Sequence, residues 1–123
     1  MAISDIVQYE REFPLELKHP KTGKTIGVTL MVRHVDCEAA TAVGERMAAG
    51  ILGDDTDKAS TQIDLYAACI SGWDWGGQEF ENGKGVLEYS PENARYVMKH
   101  PSAKWIVRQV MVAVSKIGNF IGN

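Results

Sequence analysis

Hydrophobic and polar positions alternate along one stretch of the chain and then change period. Phe13, Leu15 and Leu17 alternate with Glu12, Glu16 and Lys18. After the turn-rich run His19-Pro20-Lys21-Thr22-Gly23-Lys24, Ile26, Val28, Leu30 and Val32 alternate with Thr25, Gly27, Thr29, Met31 and Arg33. A period of two turns one face inward and the other to water, so residues 12–34 read as an antiparallel β-hairpin. A lone two-stranded ribbon is marginal in water, so its apolar face must cover another element. Residues 1–11 hold no sustained period and read as a loose N-terminal arm.

From residue 36 the period lengthens to that of a helix. Asp36 reads as an N-cap with Glu38 in the first turn, and Ala40, Val43, Met47 and Ile51 fall on one stripe that Gly53 ends. A second helix is predicted from about residue 57 to 71, with Ile63, Tyr66, Ala67 and Ile70 at i, i+3, i+4 and i+7. Residues 72–89 are glycine-rich and read as irregular, with a short extended piece near Val86-Leu87. Ser90-Pro91-Glu92 marks a third helix start, with Ser at the N-cap, Pro at the first position and an acid in the first turn, and His100-Pro101 ends that helix. Ser102 is the expected cap of a last helix that runs to about Ile117. Strands precede helices rather than alternating with them, which predicts a single α+β domain over 1–123, a hairpin followed by about four helices over 36–121.

The last helix is apolar on more than one side. Ala103, Val107, Val110, Val114 and Ile117 make one stripe; Ile106, Val110, Ala113 and Phe120 make an overlapping second, and Met111 and Val112 lie outside the first. Such a helix is either central in its fold or buries its far side against another chain. Trp73 and Trp75 flank Asp74, so on an extended backbone both rings point to one side. Together with Trp105 they either cap the core beneath the glycine-rich loop or help build a partner surface, where Trp and Met are enriched. Trp73, Trp75, Trp105, Met111, Val112 and Phe120 are therefore the candidate partner-binding residues.

Charge and chemistry narrow the picture. Lys and Arg number 13 and Asp and Glu 16, a net charge of −3, with the basic residues scattered singly. Phosphate neutralisation needs clustered cations, so neither nucleic acid nor an anionic membrane surface is an expected partner. No 20-residue apolar segment is present to span a bilayer. The N-terminus lacks a basic region followed by an apolar stretch, which predicts a cytoplasmic protein whose Cys37 and Cys69 stay reduced. His19, His34 and His100 are isolated from other ligand types, and no metal or cofactor is expected. Asp54-Asp55-Thr56-Asp57 fails the calcium-loop pattern, with Ala59 at the sixth place and Leu65 at the twelfth. Gly83-Lys84-Gly85 is not followed by Ser or Thr, and no Ser stands in GxSxG, so no catalytic residue is expected.

Several segments together resemble a known family. Ile70-Ser71-Gly72-Trp73-Asp74, Glu88-Tyr89-Ser90-Pro91-Glu92-Asn93-Ala94-Arg95, Trp105 and Gly118-Asn119-Phe120 look like the tail assembly chaperones of bacteriophages with long, non-contractile tails. The resemblance spans roughly residues 12 to 121. It implies a non-enzymatic protein of the infected host cytoplasm that coats the apolar tape-measure protein and helps recruit the major tail protein, with self-association around the client. It also implies a longer product made by ribosomal frameshifting. The alternative expectation is a structural virion component, a head–tail joining or tail-terminator protein.

Overall fold

A computed structural model describes residues 2–48 and 58–121. The predicted hairpin is present as β1 (Phe13–Lys18) and β2 (Thr25–Val32), paired antiparallel with Leu15 opposite Leu30 and Phe13 opposite Val32. The alternation does what it implies: Leu17, Val28, Leu30 and Val32 are buried. Pro14 suits an edge strand because it has no amide to donate.

The first correction is a third strand. β3 (Ile70–Asp74) pairs antiparallel with β2, placing Trp73 opposite Leu30 and making β2 the centre of the order β1-β2-β3. The preceding helix, α2 (Lys58–Cys69), therefore stops short of Ser71, and the chain enters the sheet at once. Ile70 satisfies both a helical stripe and a strand, and Gly72 disguises the strand as loop. Pairing on both sides of β2 is what decides, because a two-stranded ribbon leaves its backbone groups and apolar face half served. Near Val86-Leu87 no strand forms.

The N-terminal arm is not loose. Ile3–Asp5 forms a 3-10 turn, Val7 bridges to Ile121, and the Gln8 amide donates to the Phe120 carbonyl at 2.8 Å. Arg11 Nη1 reaches the Ile121 carbonyl at 2.9 Å. The arm also caps the first helix, α1 (Glu38–Ala48): a Glu10 carboxylate oxygen accepts the Glu38 amide at 2.7 Å. Asp36 does not act as that cap. The His34 ring accepts the Asp36 amide at 2.9 Å and the His34 carbonyl accepts the Cys37 amide, so the helix opens one residue later than its sequence pattern suggests. The far end of the predicted stripe, Ile51 to Gly53, and the acidic run 54–57 lie outside the described residues.

α3 (Pro91–Lys99) follows its sequence signal closely. Ser90 Oγ accepts the Asn93 amide at 3.0 Å, Pro91 opens the helix, and Ala94, Val97 and Met98 are buried. Ser102, however, does not cap the last helix, α4 (Lys104–Ser115). Pro101–Ala103 is a 3-10 turn in which His100 Nδ1 accepts the Ser102 amide at 3.1 Å, because Pro101 fixes the turn before α4 can begin. α4 ends at Ser115, and Ile117–Phe120 continues as a 3-10 turn. The helices share one core with the sheet: Ile106, Val110, Ala113 and Val114 of α4 meet Leu17, Val28, Leu30 and Val32. Among the described residues, no helix is long and apolar enough to cross a membrane.

Candidate partner-binding groove

Both overlapping stripes turn largely inward: Ile106, Val110, Ala113 and Phe120 of the second are buried, as are Ala103, Val110 and Val114 of the first, whose last member Ile117 is 51% exposed. The sheet lies against the Ile106–Val110–Ala113 side, which turns Met111 and Val112 outward at 39% and 63% exposure. These two are apolar side chains with no core to enter.

Beside Val112 the surface is concave. Between β1 and α4 runs a groove of about 570 Å³, with Phe13, Leu15, Val112 and Ala113 among its apolar walls. Among the described residues, Lys18, Arg108 and Lys116 stand along it with a single acid, Glu16, so this strip is basic on a chain of net charge −3. Gln109 ties the two walls together: its Oε1 accepts the Lys18 amide at 2.9 Å and its Nε2 donates to the Lys18 carbonyl at 2.7 Å. One carboxamide thus pairs the end of the edge strand as a neighbouring strand would, and holds the groove at fixed width.

The chain matches no family model, no curated protein and no solved structure.

The tryptophans and Phe120 belong elsewhere. Trp75 is 6% exposed, and it meets Trp73 edge to face at 5.5 Å and Phe80 at 5.6 Å. Trp73 is half-buried in β3 and donates its indole N–H to the Leu87 carbonyl at 3.0 Å, while Tyr89 donates to the Ile70 carbonyl at 2.7 Å. The glycine-rich loop is stapled to the sheet edge through these rings, which is the core-capping alternative. Trp105 is half-buried against the same core. Phe120 is fully buried, 5.2 Å from the His34 ring and 6.3 Å from Phe13. As partner-binding candidates, Trp75 and Phe120 are corrected to core residues. Their apolar surface is spent on this chain's own interior, and only Met111 and Val112 of the six candidates present more than a third of their surface to water.

The isolated histidines share a role that spacing did not suggest. In each, Nδ1 accepts the backbone amide two residues on: Lys21 from His19, Asp36 from His34 and Ser102 from His100. Each ring turns the chain at the end of an element, as an Asn or Asp side chain does in an Asx turn. Among the described residues, no three His, Cys, Asp or Glu side chains converge as a metal-holding set. Cys37 and Cys69, distant in sequence, are both buried free thiols close enough to bias each other's proton, and the Cys69 thiol donates to the Leu65 carbonyl at 3.5 Å. Cys69, with the Ala40 and Ala39 amides aiding, lowers the Cys37 pKa against the cost of burial, and Cys69 is pushed up in turn. Near α3, the hydroxyl of Tyr96 bonds the exposed Glu81 carboxylate and holds its pKa down, with Lys84 and His100 adding to the effect.

Proposed function

We propose that this chain is a protein-binding module, a tail assembly chaperone that holds the tape-measure protein in the groove between β1 and α4. The observation that carries it is the outward Val112 on the wall of an apolar groove rimmed by Lys18, Arg108 and Lys116, with Met111 exposed on the same helix. Exposed apolar patches bordered by polar groups are the usual mark of an interaction surface. A groove of this kind suits the apolar face of an amphipathic helix, whose flanking acids pair with the basic rim. The sequence resemblance supplies the client: a long helical protein that needs many weak, repeated contacts while it remains unassembled. Recruitment of the major tail protein and a cytoplasmic location belong to the same proposal. The chain acts by binding rather than by catalysis.

Co-expression tests this. With the tape-measure protein encoded beside it, the chain raises the soluble yield of that client, and purified virions lack it. A client no more soluble with the chain than without it overturns the chaperone reading. Stoichiometric copies of the chain in virions, found by mass spectrometry, assign it to the tail structure instead.

A further inference from the structure

Three arginines from three parts of the chain line one depression, which shares no lining residue with the groove between β1 and α4. Arg33 follows β2, Arg46 lies in the last turn of α1, and Arg95 is on α3. They line a cavity of about 340 Å³ whose other walls include the small side chains of Ala39, Ala67 and Ala68. Among the described residues, no acidic side chain lines it. Among the described residues, the one carboxylate in ion-pair reach of these arginines is Glu12, 3.5 Å from Arg33 Nη2. Arg33 Nε is enclosed and has no hydrogen-bond partner among the described residues. The positive fields of Arg33 and Arg95 both reach the Tyr89 hydroxyl, opposing the rise in its pKa that burial imposes.

Three like charges lining one concave wall repel each other, and an anion with several oxygen acceptors relieves that repulsion. We propose that this depression is an oxyanion site for a phosphate dianion, either inorganic phosphate or a phosphate monoester. Three guanidinium groups less the Glu12 carboxylate leave two positive charges, the complement of a phosphate carrying about −1.5 to −2 near neutral pH. The planar guanidinium fork matches phosphate oxygens two at a time, and the short alanines leave room for them between the arms. A nucleic-acid backbone is a poorer match, since its affinity grows with the number of phosphates neutralised and these cations sit in a single pit. The site is independent of the groove between β1 and α4.

The test follows the arginine Nε–Hε signals by NMR in the full chain. Inorganic phosphate and, separately, a short peptide bearing one phosphoserine are titrated at constant ionic strength set with sodium chloride. Saturable shifts at Arg33, Arg46 and Arg95 are expected, and Arg95→Gln weakens binding roughly tenfold or more by removing charge-assisted bonds. Arg95 is exposed, so the variant keeps its melting temperature, and Lys104→Gln, an exposed cation outside the depression, binds as the wild type does. Tighter binding of the peptide assigns the site to a phosphorylated side chain; equal or tighter binding of inorganic phosphate assigns it to the free ion. Shifts that never saturate, that sodium chloride reproduces, or that Arg95→Gln leaves unchanged overturn the proposal.

Discussion

Replacing Phe120 by Ala separates a core residue from a docking residue. Its ring is fully buried against His34 and Phe13, and its carbonyl holds the Gln8 amide, so it joins the N-terminal arm to the end of the chain. A buried Phe removes about 150–250 Å² from water, worth roughly 4–6 kcal/mol at about 25 cal/mol per Å², and measured Phe→Ala costs run about 3–5 kcal/mol. We take about 4 kcal/mol. The unfolding entropy of 123 residues at about 2.1 cal/mol/K each is roughly 0.26 kcal/mol/K, so the melting temperature falls by about 15 °C. Differential scanning calorimetry reads the shift directly. Amide hydrogen exchange adds a second reading: the Gln8 amide loses protection before the strands do, because its acceptor belongs to the loosened segment. A fall of less than about 3 °C refutes the placement of Phe120 in the core.

Other substitutions probe the remaining elements. Gly76 sits at φ +62° and a Cβ there would stand 2.3 Å from the Gly27 carbonyl oxygen, so Gly76→Ala loses at least about 2 kcal/mol in urea unfolding as the loop is forced off the sheet edge. Ser90→Ala removes the α3 cap and costs about 1 kcal/mol by the same assay. Glu10→Gln weakens the charged cap on α1 by about 0.5–1 kcal/mol and speeds exchange at the Glu38 amide. For Glu81 the sign with pH is fixed by its depressed folded value: its bond to Tyr96 stabilises above the unfolded carboxyl pKa and is lost as pH falls through the folded one. Carboxyl NMR titration therefore finds Glu81 below the ordinary range in the wild type and back near it in Tyr96→Phe; unchanged titration removes Tyr96 as the cause.

The hairpin and α3 were legible because their signals are local: period-two alternation in 13–32, and Ser-Pro-Glu at 90–92. β3 was not, since Ile70 fits a helical stripe and only pairing with the distant Met31 and Val32 makes a strand of it. The local pattern points to Asp36, two residues before Glu38, as the cap of α1, whereas the cap comes from Glu10 by way of the folded-back arm. In α4 the apolar surplus was visible in the sequence, but which stripe faces the sheet depends on where β1 and β2 lie. Hence Phe120 and Trp75 turned inward while Met111 and Val112 stayed out. The Cys37–Cys69 pair and the arginine depression bring together residues from separate elements and leave no spacing to read.

The groove between β1 and α4 is tested most directly at Val112. Calorimetric titration of the full chain with an apolar helical fragment of the tape-measure protein gives its affinity for wild type and for Val112→Asp. At 63% exposure, with Lys116 one turn on, an aspartate is accommodated within about 0.5 kcal/mol, and the melting temperature moves by about 2 °C or less. Binding is expected to weaken about tenfold or more, because an apolar contact is lost and a charge is placed on the groove wall. Undiminished affinity in a fully folded variant contradicts the account.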